Sequence, residues 1–448
     1  MVRDLTKGSV SKGLVLFALP MIAGNLLQQF YNIADTLIVG QVLGKNALAA
    51  VGSAYTLMTF LTSVFLGLSM GAGALFSIYF GKDDRESLRC AVAHAAGLIL
   101  AVTLVVNAAV YAGMEPLFRF LQIPHELYGA MRDYLGIVFA GLVATSLYNF
   151  LACLLRAVGN SVAPLWFLGT AAVLNIGLDL LFVPVLGMGI AGAAIATVIA
   201  QYVSAIGLLI YTLRHLRVYL PRRRHFHLNR AILRQIGDLS LLTCVQQSTM
   251  NFGILLIQRL VDSFGAVTMA AFAAAVKIDT FAYLPVQDFG NAFSTFVAQN
   301  YGAGQTARLR EGFRKATACS IGFSVVISAL VCGFAEPLMR LFVSAKETAV
   351  LASGVQYLRV EGAFYAGIGC LFLLYGFYRA VERPGMSVVL TVIALGTRVA
   401  LAYALAAPLG EFGIWIAIPV GWGLADAVGY GYYGWRKRRL LPSSAPRS

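Results

Sequence analysis

The chain has 448 residues, of which 59% are hydrophobic and 12% charged, and its formal net charge is +14 at pH 7. Its mean hydropathy is +0.77, and it contains apolar runs of about 20 residues, the length that crosses ~30 Å of hydrocarbon. These properties exclude a soluble protein. The basic excess does not indicate nucleic-acid binding, because the Lys and Arg residues lie in loops between apolar segments and not on one folded face.

Twelve apolar segments are predicted to be membrane-spanning helices, because each is long enough to cross the bilayer. The first follows Arg3, Lys7 and Lys12 but has no cleavage site of small residues, so we expect a retained helix and not a signal peptide. The protein is therefore predicted to be an all-α membrane protein in contact with the lipid bilayer. The spans cover residues 14–39, 47–79, 89–112, 130–153, 163–185, 190–213, 234–262, 266–298, 315–335, 354–378, 387–407 and 411–434.

A basic segment at the middle of the chain, residues 214–233, has six predicted spans on either side. We expect residues 1–213 to form an N-terminal six-helix lobe and residues 234–448 a C-terminal six-helix lobe with a basic cytoplasmic tail. Of the 34 Lys and Arg residues, 25 fall on the same side of the spans as this segment, 5 on the other side and 4 within spans. Since basic loops stay in the cytoplasm, we expect a multi-pass protein of the inner or plasma membrane with both termini cytoplasmic.

The two halves of the chain repeat each other. Gly44 aligns with Gly265, and at nearly the same offset the Arg-Ala-Val sequence at 156–158 aligns with that at 379–381. Six spans per half is an even number, so both halves begin on the same side of the membrane. The predicted lobes are therefore related by a parallel pseudo-two-fold axis along the membrane normal, an arrangement typical of alternating-access carriers.

Polar side chains at membrane depth are costly and mark candidate functional sites. The fifth span has Asn175 and Asp179 on one face, and the sixth has Thr197 and Gln201 at the same spacing. Two carboxylates, an amide and a hydroxyl make an all-oxygen site that suits H⁺ or a small cation such as Na⁺. We predict a cation-coupling site at Asp35, Asn175, Asp179 and Thr197, with a purely structural hydrogen-bonded helix contact as the alternative. One face of the first span carries Asn25, Gln28, Asn32 and Asp35. We predict that Asn25, Gln28, Asn32 and Gln201 line the substrate cleft in this half.

The second half offers polar residues that are mostly uncharged. Glu361 and Arg398 are a candidate secondary charge pair, because Arg359 is only two positions from Glu361 and points away from it on a helix. Such a neutralised pair is more often structural than functional. Cysteines and histidines show no metal-ligand or catalytic spacing, so we expect no enzyme and no cofactor besides the coupling ion. The predicted substrate-cleft residues of this half are Gln247, Thr280, Tyr283 and Gln287.

Several segments resemble the MATE family of multidrug and toxin extrusion transporters, over nearly the whole chain. The resemblance implies twelve helices in two lobes that exchange H⁺ or Na⁺ for small organic, often cationic, compounds, and we expect a monomer. It equates Asp35, Asn175, Asp179 and Thr197 with the N-lobe cation site of DinF-like and MepA-like members, and Pro20 with a proline at which the first helix bends. The segments are FALPMIAGNLLQQFYNIADTLIVGQVLG, ALAAVGSA, LLRAVGNSVAPL, LNIGLDLLF, GIAGAAIATVIAQ and VAQNYGAG.

The chain departs from NorM-type members, which have an acidic residue on the seventh helix where this sequence has Gln246 and Gln247. Two alternatives to a drug antiporter stay open. One is a lipid-linked oligosaccharide flippase of the same superfamily, which should line its cleft with more arginines to hold a pyrophosphate. The other is a membrane-embedded enzyme, which would need a catalytic constellation at one membrane face.

Overall fold

The computed structural model describes residues 4–120 and 128–441. These two stretches consist of helices and the turns that connect them, and they contain no β-strand. A 3-10 turn covers Phe139–Gly141, a π-helical turn covers Leu181–Val185 and a second 3-10 turn covers Arg223–Phe226. The α-helices are α1 Val10–Leu43, α2 Lys45–Gly81, α3 Arg85–Ala112, α4 Met114–Phe120, α5 Tyr128–Val138, α6 Leu142–Ala157, α7 Val162–Leu180, α8 Gly189–His215, α9 Arg230–Asp262, α10 Ala266–Gly302, α11 Thr306–Gly333, α12 Ala335–Arg340, α13 Thr348–Gly362, α14 Tyr365–Ala380, α15 Pro384–Leu409 and α16 Glu411–Leu440.

The predicted number of membrane spans is confirmed over the described part of the chain. Eleven helical segments are each long and apolar enough to cross a membrane, and α13 and α14 together form a twelfth span. These two helices are bent by 51° at the break between Gly362 and Tyr365. The tenth predicted span is thus a broken helix, which the apolar run in the sequence did not indicate.

The internal repeat is visible in the lengths of the helices. Helices α2 and α10 both have 37 residues, α3 and α11 both have 28, and α6 and α14 both have 16. The turns repeat as well, since Gly44 (φ 82°) and Gly265 (φ 96°) begin α2 and α10 in the left-handed region. Asp83 (φ 54°) and Gly304 (φ 69°) occupy that region after the same two helices. The two halves therefore share helix lengths and turn conformations at equivalent positions.

The chain forms two compact units, which we call the N-unit and the C-unit. The N-unit consists mainly of Ala23–Cys244, and the C-unit consists of Asp4–Ile22 with the described residues of Val245–Ser448. A cut in the central basic segment would not produce this division, because α1 and α9 each begin in one unit and continue in the other. The point of passage in α1 lies just after Pro20, whose missing N–H weakens the helix there.

The N-unit is held together by close helix contacts at small residues, as expected where lipid removes the hydrophobic drive for helix association. Helix α2 packs on α3 and α6, and α8 packs on α5, α6 and α7. Gly67 and Gly71 of α2 meet the backbone of α9, where an added Cβ would come within 2.5 Å of the Cα atoms of Cys244 and Ser240. The Ser240 hydroxyl donates to the Leu68 carbonyl at 2.9 Å, which satisfies a buried polar group at this contact.

The C-unit has its own core, in which α10 packs on α11, α13 and α14, and α15 packs on α16. Trp415 is fully buried and stacks on Phe272 with ring centroids 5.6 Å apart. The N-terminal segment belongs to this unit. Leu5 donates its N–H to Gln299 Oε1 at 3.0 Å, and Arg308 donates to the carbonyl of Gly8 at 2.8 Å. Residues 4–22 are therefore a structural part of the C-unit.

The central segment between α8 and α9 folds back onto the N-unit. Glu86 of α3 accepts hydrogen bonds from Arg89 at 2.7 Å and from Arg224 at 2.9 Å. It also lies 2.9 Å from His225 Nε2. His225 is buried, and its Nδ1 accepts the Arg222 N–H at 2.8 Å. Since Nδ1 accepts this bond, the Nε2–H of His225 is the ring group that faces Glu86.

Candidate cation site in the N-unit

The polar face predicted for the first span lies on the part of α1 that belongs to the N-unit. Asn25, Gln28, Asn32 and Asp35 are all half-buried, in contrast with the exposed apolar residues Phe30 and Leu37 on other faces of the helix. Each side chain of the stripe is therefore partly covered by protein.

Helices α7 and α8 bring the other predicted site residues together. Asp179 is fully buried and Asn175 is 2% exposed. The Asn175 amide donates to the Thr197 hydroxyl at 3.4 Å, and that hydroxyl donates to the Ala193 carbonyl at 3.0 Å. The oxygen of Thr197 is thus oriented by its own helix, and Asn175 is held by it one helical turn from Asp179.

Asp35 and Asp179 lie beside each other in the N-unit, within hydrogen-bonding range of one another. Oδ1 of Asp35 and both carboxylate oxygens of Asp179 are buried without a hydrogen-bond partner in the described residues. Ionised carboxylates only accept hydrogen bonds, so these two groups repel each other until a proton or a cation lies between them. The arrangement is therefore suited to binding one monovalent cation.

Two tyrosines that were not among the predicted site residues border this pair. Tyr134 of α5 is 7% exposed and interacts electrostatically with both Asp35 and Asp179. Tyr31 of α1 interacts with Asp35 and makes a hydrogen bond with Gln28. A tyrosine in an apolar span resembles an ordinary packing residue, so only its repetition at Tyr357 in the second half could have drawn attention to Tyr134.

The local backbone next to Asp179 is irregular. Helix α7 passes into the π-helical turn Leu181–Val185, which contains Pro184. Proline removes one backbone donor from the helix, and single π turns are frequent at functional sites. Asp179 thus stands near the end of the regular part of its helix, two residues before this turn.

Gln201 lies against the 3-10 turn Phe139–Gly141, which interrupts the fourth span between α5 and α6. A Cβ atom on Gly141, in the 3-10 turn Phe139–Gly141, would collide with Oε1 of Gln201. That oxygen is buried and has no hydrogen-bond partner among the described residues. The glycine is required for the close approach of the Gln201 amide to this turn.

The remaining predicted cleft residues lie in the C-unit and stay predictions. All of them are half-buried, which leaves part of each side chain accessible. The Thr280 hydroxyl donates to the Val276 carbonyl at 2.7 Å. The ring centroids of Tyr283 and Phe372 lie 6.3 Å apart. The half-buried set is Pro20, Gln247, Thr280, Tyr283 and Gln287.

Glu361 and Arg398, the predicted charge pair, are neighbours inside the C-unit. Glu361 is 3% exposed and lies within electrostatic range of Arg398. Arg359, by contrast, is exposed, as expected for a side chain two positions from Glu361 on one helix. A third charged residue, Asp279 of α10, interacts with both, and the sequence analysis had not placed it there.

A repeated six-span architecture with carboxylates buried between helices defines a polytopic membrane transporter. The sequence model of the MatE family matches residues 20–181 and 243–404, one copy in each half of the chain. The chain belongs to this family, the MATE transporters, and it is a transporter and not an enzyme. The double match independently supports the repeat seen in helix lengths and turns.

Known proteins resemble the chain over its whole length. "Probable multidrug resistance protein YpnP" of Bacillus subtilis is 31% identical over 98% of both chains. The "FAD transporter" of Shewanella oneidensis is 24% identical over 93% of this chain and 92% of its own length. A MATE transporter solved in an outward-facing conformation has the same fold, with a TM-score of 0.92 and 24% identity over 98% of both chains.

Proposed function

We propose that this protein is a cation-coupled antiporter of the cell membrane that exports small organic, often cationic, compounds by alternating access. The coupling ion, H⁺ or Na⁺, binds at the Asp35–Asp179 pair, with Asn175 and Thr197 completing the oxygen shell. Both termini lie in the cytoplasm, and the carrier works as a monomer. The observation that carries the proposal is the buried carboxylate of Asp179, which lies beside Asp35 and has no other hydrogen-bond partner for its oxygens among the described residues.

The energy available from this pair is of the right size for coupling. Two unit charges about 4 Å apart repel by about 4 kcal/mol at an effective dielectric constant of ~20. Moving a two-state equilibrium from 1:99 to 99:1 takes ~5.5 kcal/mol. One cation that neutralises the repulsion in one conformation and not in the other therefore supplies most of such a shift.

Helix α1 connects cation binding at Asp35 to the C-unit. Asp35 lies in its N-unit portion, while Asp4–Ile22, including Pro20, belongs to the C-unit. When a cation draws the Asp35 carboxylate towards Asp179, the C-unit portion of α1 stays in its own packing, so the strain falls at the passage next to Pro20. A helix already lacking a backbone hydrogen bond bends there at the lowest cost.

Substrate export then follows from competition between two binding states. A cation can shift the conformational equilibrium only by its differential affinity for the two states. By linkage, a substrate that prefers the cation-free state loses affinity when the cation binds, and the cation loses affinity when the substrate binds. Cation entry down its gradient thereby releases the substrate on the other side.

Ethidium efflux from vesicles containing the purified protein tests the proposal, first with an imposed pH gradient and then with an imposed sodium gradient. Asp35→Asn and Asp179→Asn should each reduce gradient-driven efflux about 5- to 150-fold, the range of one coupling free energy. Asp133→Asn is the matched control, because it makes the same chemical change at an exposed position of the N-unit. Efflux at wild-type rates in both site variants would show that coupling occurs elsewhere.

An anionic substrate is the second candidate, favoured by the Shewanella relative that is named as an FAD transporter. The same vesicles, loaded with FAD in place of ethidium, decide between the two classes. Gradient-driven loss of FAD without loss of ethidium would replace the cationic class by an anionic one. Whether the Asp35–Asp179 pair is the coupling site would still be decided by the Asp35→Asn and Asp179→Asn variants.

A further inference from the structure

The start of α11 and the end of α16 enclose a basic pocket in the C-unit, away from the coupling residues of the N-unit. Its volume is about 400 Å³, within the range of about 300–1,000 Å³ that ligand sites occupy. We call it the α11–α16 pocket. The residues that line it are Arg310, Glu311, Phe313, Arg314, Tyr433 and Lys437.

Positive charge dominates the α11–α16 pocket. Arg310, Arg314 and Lys437 form no ion pair with any acid in the described parts of the chain. Glu311 is the acid of the pocket, and its carboxylate already pairs with Lys315 at 2.5 Å. Three cations and one acid leave an excess of positive charge on the lining, which favours an anionic ligand.

The two helices hold these cations close to one another. Arg310 and Arg314 stand four positions apart on one face of α11, a spacing at which like charges destabilise a helix. Phe313 stacks on Tyr433 of α16 with ring centroids 4.4 Å apart, which fixes the contact between the helices. Tyr433 lies within electrostatic range of Arg310, and Lys437 Nζ lies 5.6 Å from the centre of its ring. The cations therefore converge on one place, where a bound anion would remove their repulsion.

The internal repeat shows which group the second half lacks at this place. At one offset Arg89 of α3 aligns with Arg310 of α11, and Glu86 aligns with Ala307. In the N-unit the Arg89 guanidinium pairs with Glu86 at 2.7 Å. The second half keeps the arginine but has alanine in place of its acid, so the charge of Arg310 is left for another partner.

The equivalent face of the N-unit is covered by the central segment. The Cys90 thiol of α3 donates to the His225 carbonyl at 3.7 Å, and the Asn229 N–H donates to His94 Nε2 at 3.0 Å. In the C-unit the described residues around the pocket come from α11 and α16 alone. The basic face of α11 is therefore accessible to a ligand from outside.

The α11–α16 pocket lies at the level of the lipid headgroups. Trp435, two positions before Lys437, is 74% exposed, and exposed tryptophans mark the membrane–water interface. Ile321 and Val325 continue the face of the two arginines three helical turns further into the apolar span, and they are 40% and 56% exposed. An anion that also has acyl chains covers this apolar face, whereas a free phosphate does not.

We propose that the α11–α16 pocket binds the phosphate group of an anionic phospholipid, whose acyl chains lie along the exposed apolar face of α11. The guanidinium groups of Arg310 and Arg314 match phosphate oxygens as paired donors, and Lys437 adds a point charge. Basic pockets between membrane helices bind anionic headgroups in this way. A zwitterionic phospholipid carries an ammonium group that the three cations repel. The proposal goes beyond the coupling scheme and does not depend on it.

Native mass spectrometry of the purified full-length protein in a neutral detergent tests this proposal. The protein is titrated separately with phosphatidylglycerol and with phosphatidylcholine of the same acyl chains, and the lipid adducts give the dissociation constants. Phosphatidylglycerol should bind at least about tenfold more tightly, a difference of ~1.4 kcal/mol. Equal affinities for the two lipids would overturn the proposal.

Inorganic phosphate separates a lipid site from a site for free phosphate. It is added to the phosphatidylglycerol complex at the concentration of the lipid, with chloride as the reference. The complex should keep its lipid, because the acyl chains contribute apolar contacts that inorganic phosphate lacks. Release of the lipid by inorganic phosphate would assign the pocket to the free ion and overturn the lipid assignment.

Two double variants locate the binding. Arg310→Gln with Arg314→Gln should weaken phosphatidylglycerol binding about tenfold or more and leave phosphatidylcholine binding unchanged. The matched control is Arg438→Gln with Arg439→Gln, which removes two exposed arginines of α16 that do not line the pocket. Equal weakening in the two double variants would indicate diffuse attraction to the basic end of the molecule, and the proposal would be wrong.

Glu311→Gln changes the pocket in the opposite direction. It removes the acid and releases Lys315, so phosphatidylglycerol should bind more tightly than to the wild type. Unchanged or weaker binding would mean that the charge of the pocket does not govern the affinity, which contradicts the proposal.

Folding of each variant is checked by size-exclusion chromatography. Arg310 and Arg314 are exposed, and substitutions at such positions usually change stability little. If their double variant does not fold, Lys437→Gln serves instead and should also weaken phosphatidylglycerol binding. Failure of the coupling proposal would be seen separately, as unchanged ethidium efflux in Asp35→Asn and Asp179→Asn.

Discussion

Replacing Arg308 by methionine should release the N-terminal segment from the C-unit. The Arg308 guanidinium donates to the carbonyls of Gly8 at 2.8 Å, Leu5 at 3.1 Å and Lys7 at 3.4 Å. Its Nε donates to Asn300 Oδ1 at 3.1 Å. Methionine keeps most of the apolar stem but removes every one of these hydrogen bonds.

The expected size of the effect follows from these contacts. A hydrogen bond from a charged donor contributes about 1.5–3 kcal/mol, but Arg308 is half-buried and its bonds share one side chain, so they do not add. Asn300 Nδ2 still donates to the Leu5 carbonyl at 3.2 Å in the variant. We expect a net loss of about 2–3 kcal/mol, which corresponds to a roughly 30- to 150-fold larger open population at ~1.4 kcal/mol per factor of ten.

Hydrogen exchange followed by mass spectrometry measures that population directly, at the amides of residues 5–13. Exchange by local opening reports the opening free energy, so the rates should rise by the same factor. Arg314→Met is the matched control, because Arg314 is an exposed arginine of the same helix. Equal exchange in the two variants would refute the idea that Arg308 anchors this segment.

Two further outcomes are expected. Gly71→Ala should lower the melting temperature by several degrees, because its Cβ meets the α9 backbone at 2.5 Å and overpacking costs about 1–3 kcal/mol. The control Gly97→Ala, with nothing within 4 Å, should have no such effect, and equal melting temperatures would contradict this packing. Glu86→Gln should speed tryptic cleavage at residues 222–224, because it weakens the contacts that hold the central segment on α3. The control Asp83→Asn, at an exposed ion pair, should not change the cleavage rate. Unchanged cleavage in Glu86→Gln would mean that Glu86 does not hold the central segment.

The spans were predictable because a helix in lipid must satisfy its backbone internally and present apolar side chains over its full length. The same constraint made Asp35 and Asp179 stand out in the sequence, because a carboxylate inside such a helix is energetically costly and marks a candidate functional site. Their partner Tyr134 was not conspicuous, because a tyrosine is a common residue of membrane helices. Polarity in the sequence therefore finds the charged members of a site and misses the amphipathic ones.

The charged residues buried in the C-unit show a second limit of sequence reasoning. Glu361 and Arg398 were paired by exclusion of Arg359, and the structure places them together. Asp279 is far from Glu361 along the chain, three helices earlier, and nothing in the periodicity of α10 shows which of its polar residues points inward. Which charges meet depends on the rotation of each helix about its own axis. The apolar pattern of a single helix does not define that rotation closely enough.

The division of α1 between the units was also hidden, because its apolar pattern runs without interruption through the point of passage. This division has a mechanical consequence. The proposed cation site that includes Asp35 lies wholly in the N-unit, so under the proposal its neutralisation reaches the C-unit through elements that belong to both. Among the described helices, α1 and α9 are such elements, and α1 alone carries a carboxylate of that site. The proposed coupling therefore requires that α1 be anchored at its start, by Arg308, as well as the carboxylate that it presents.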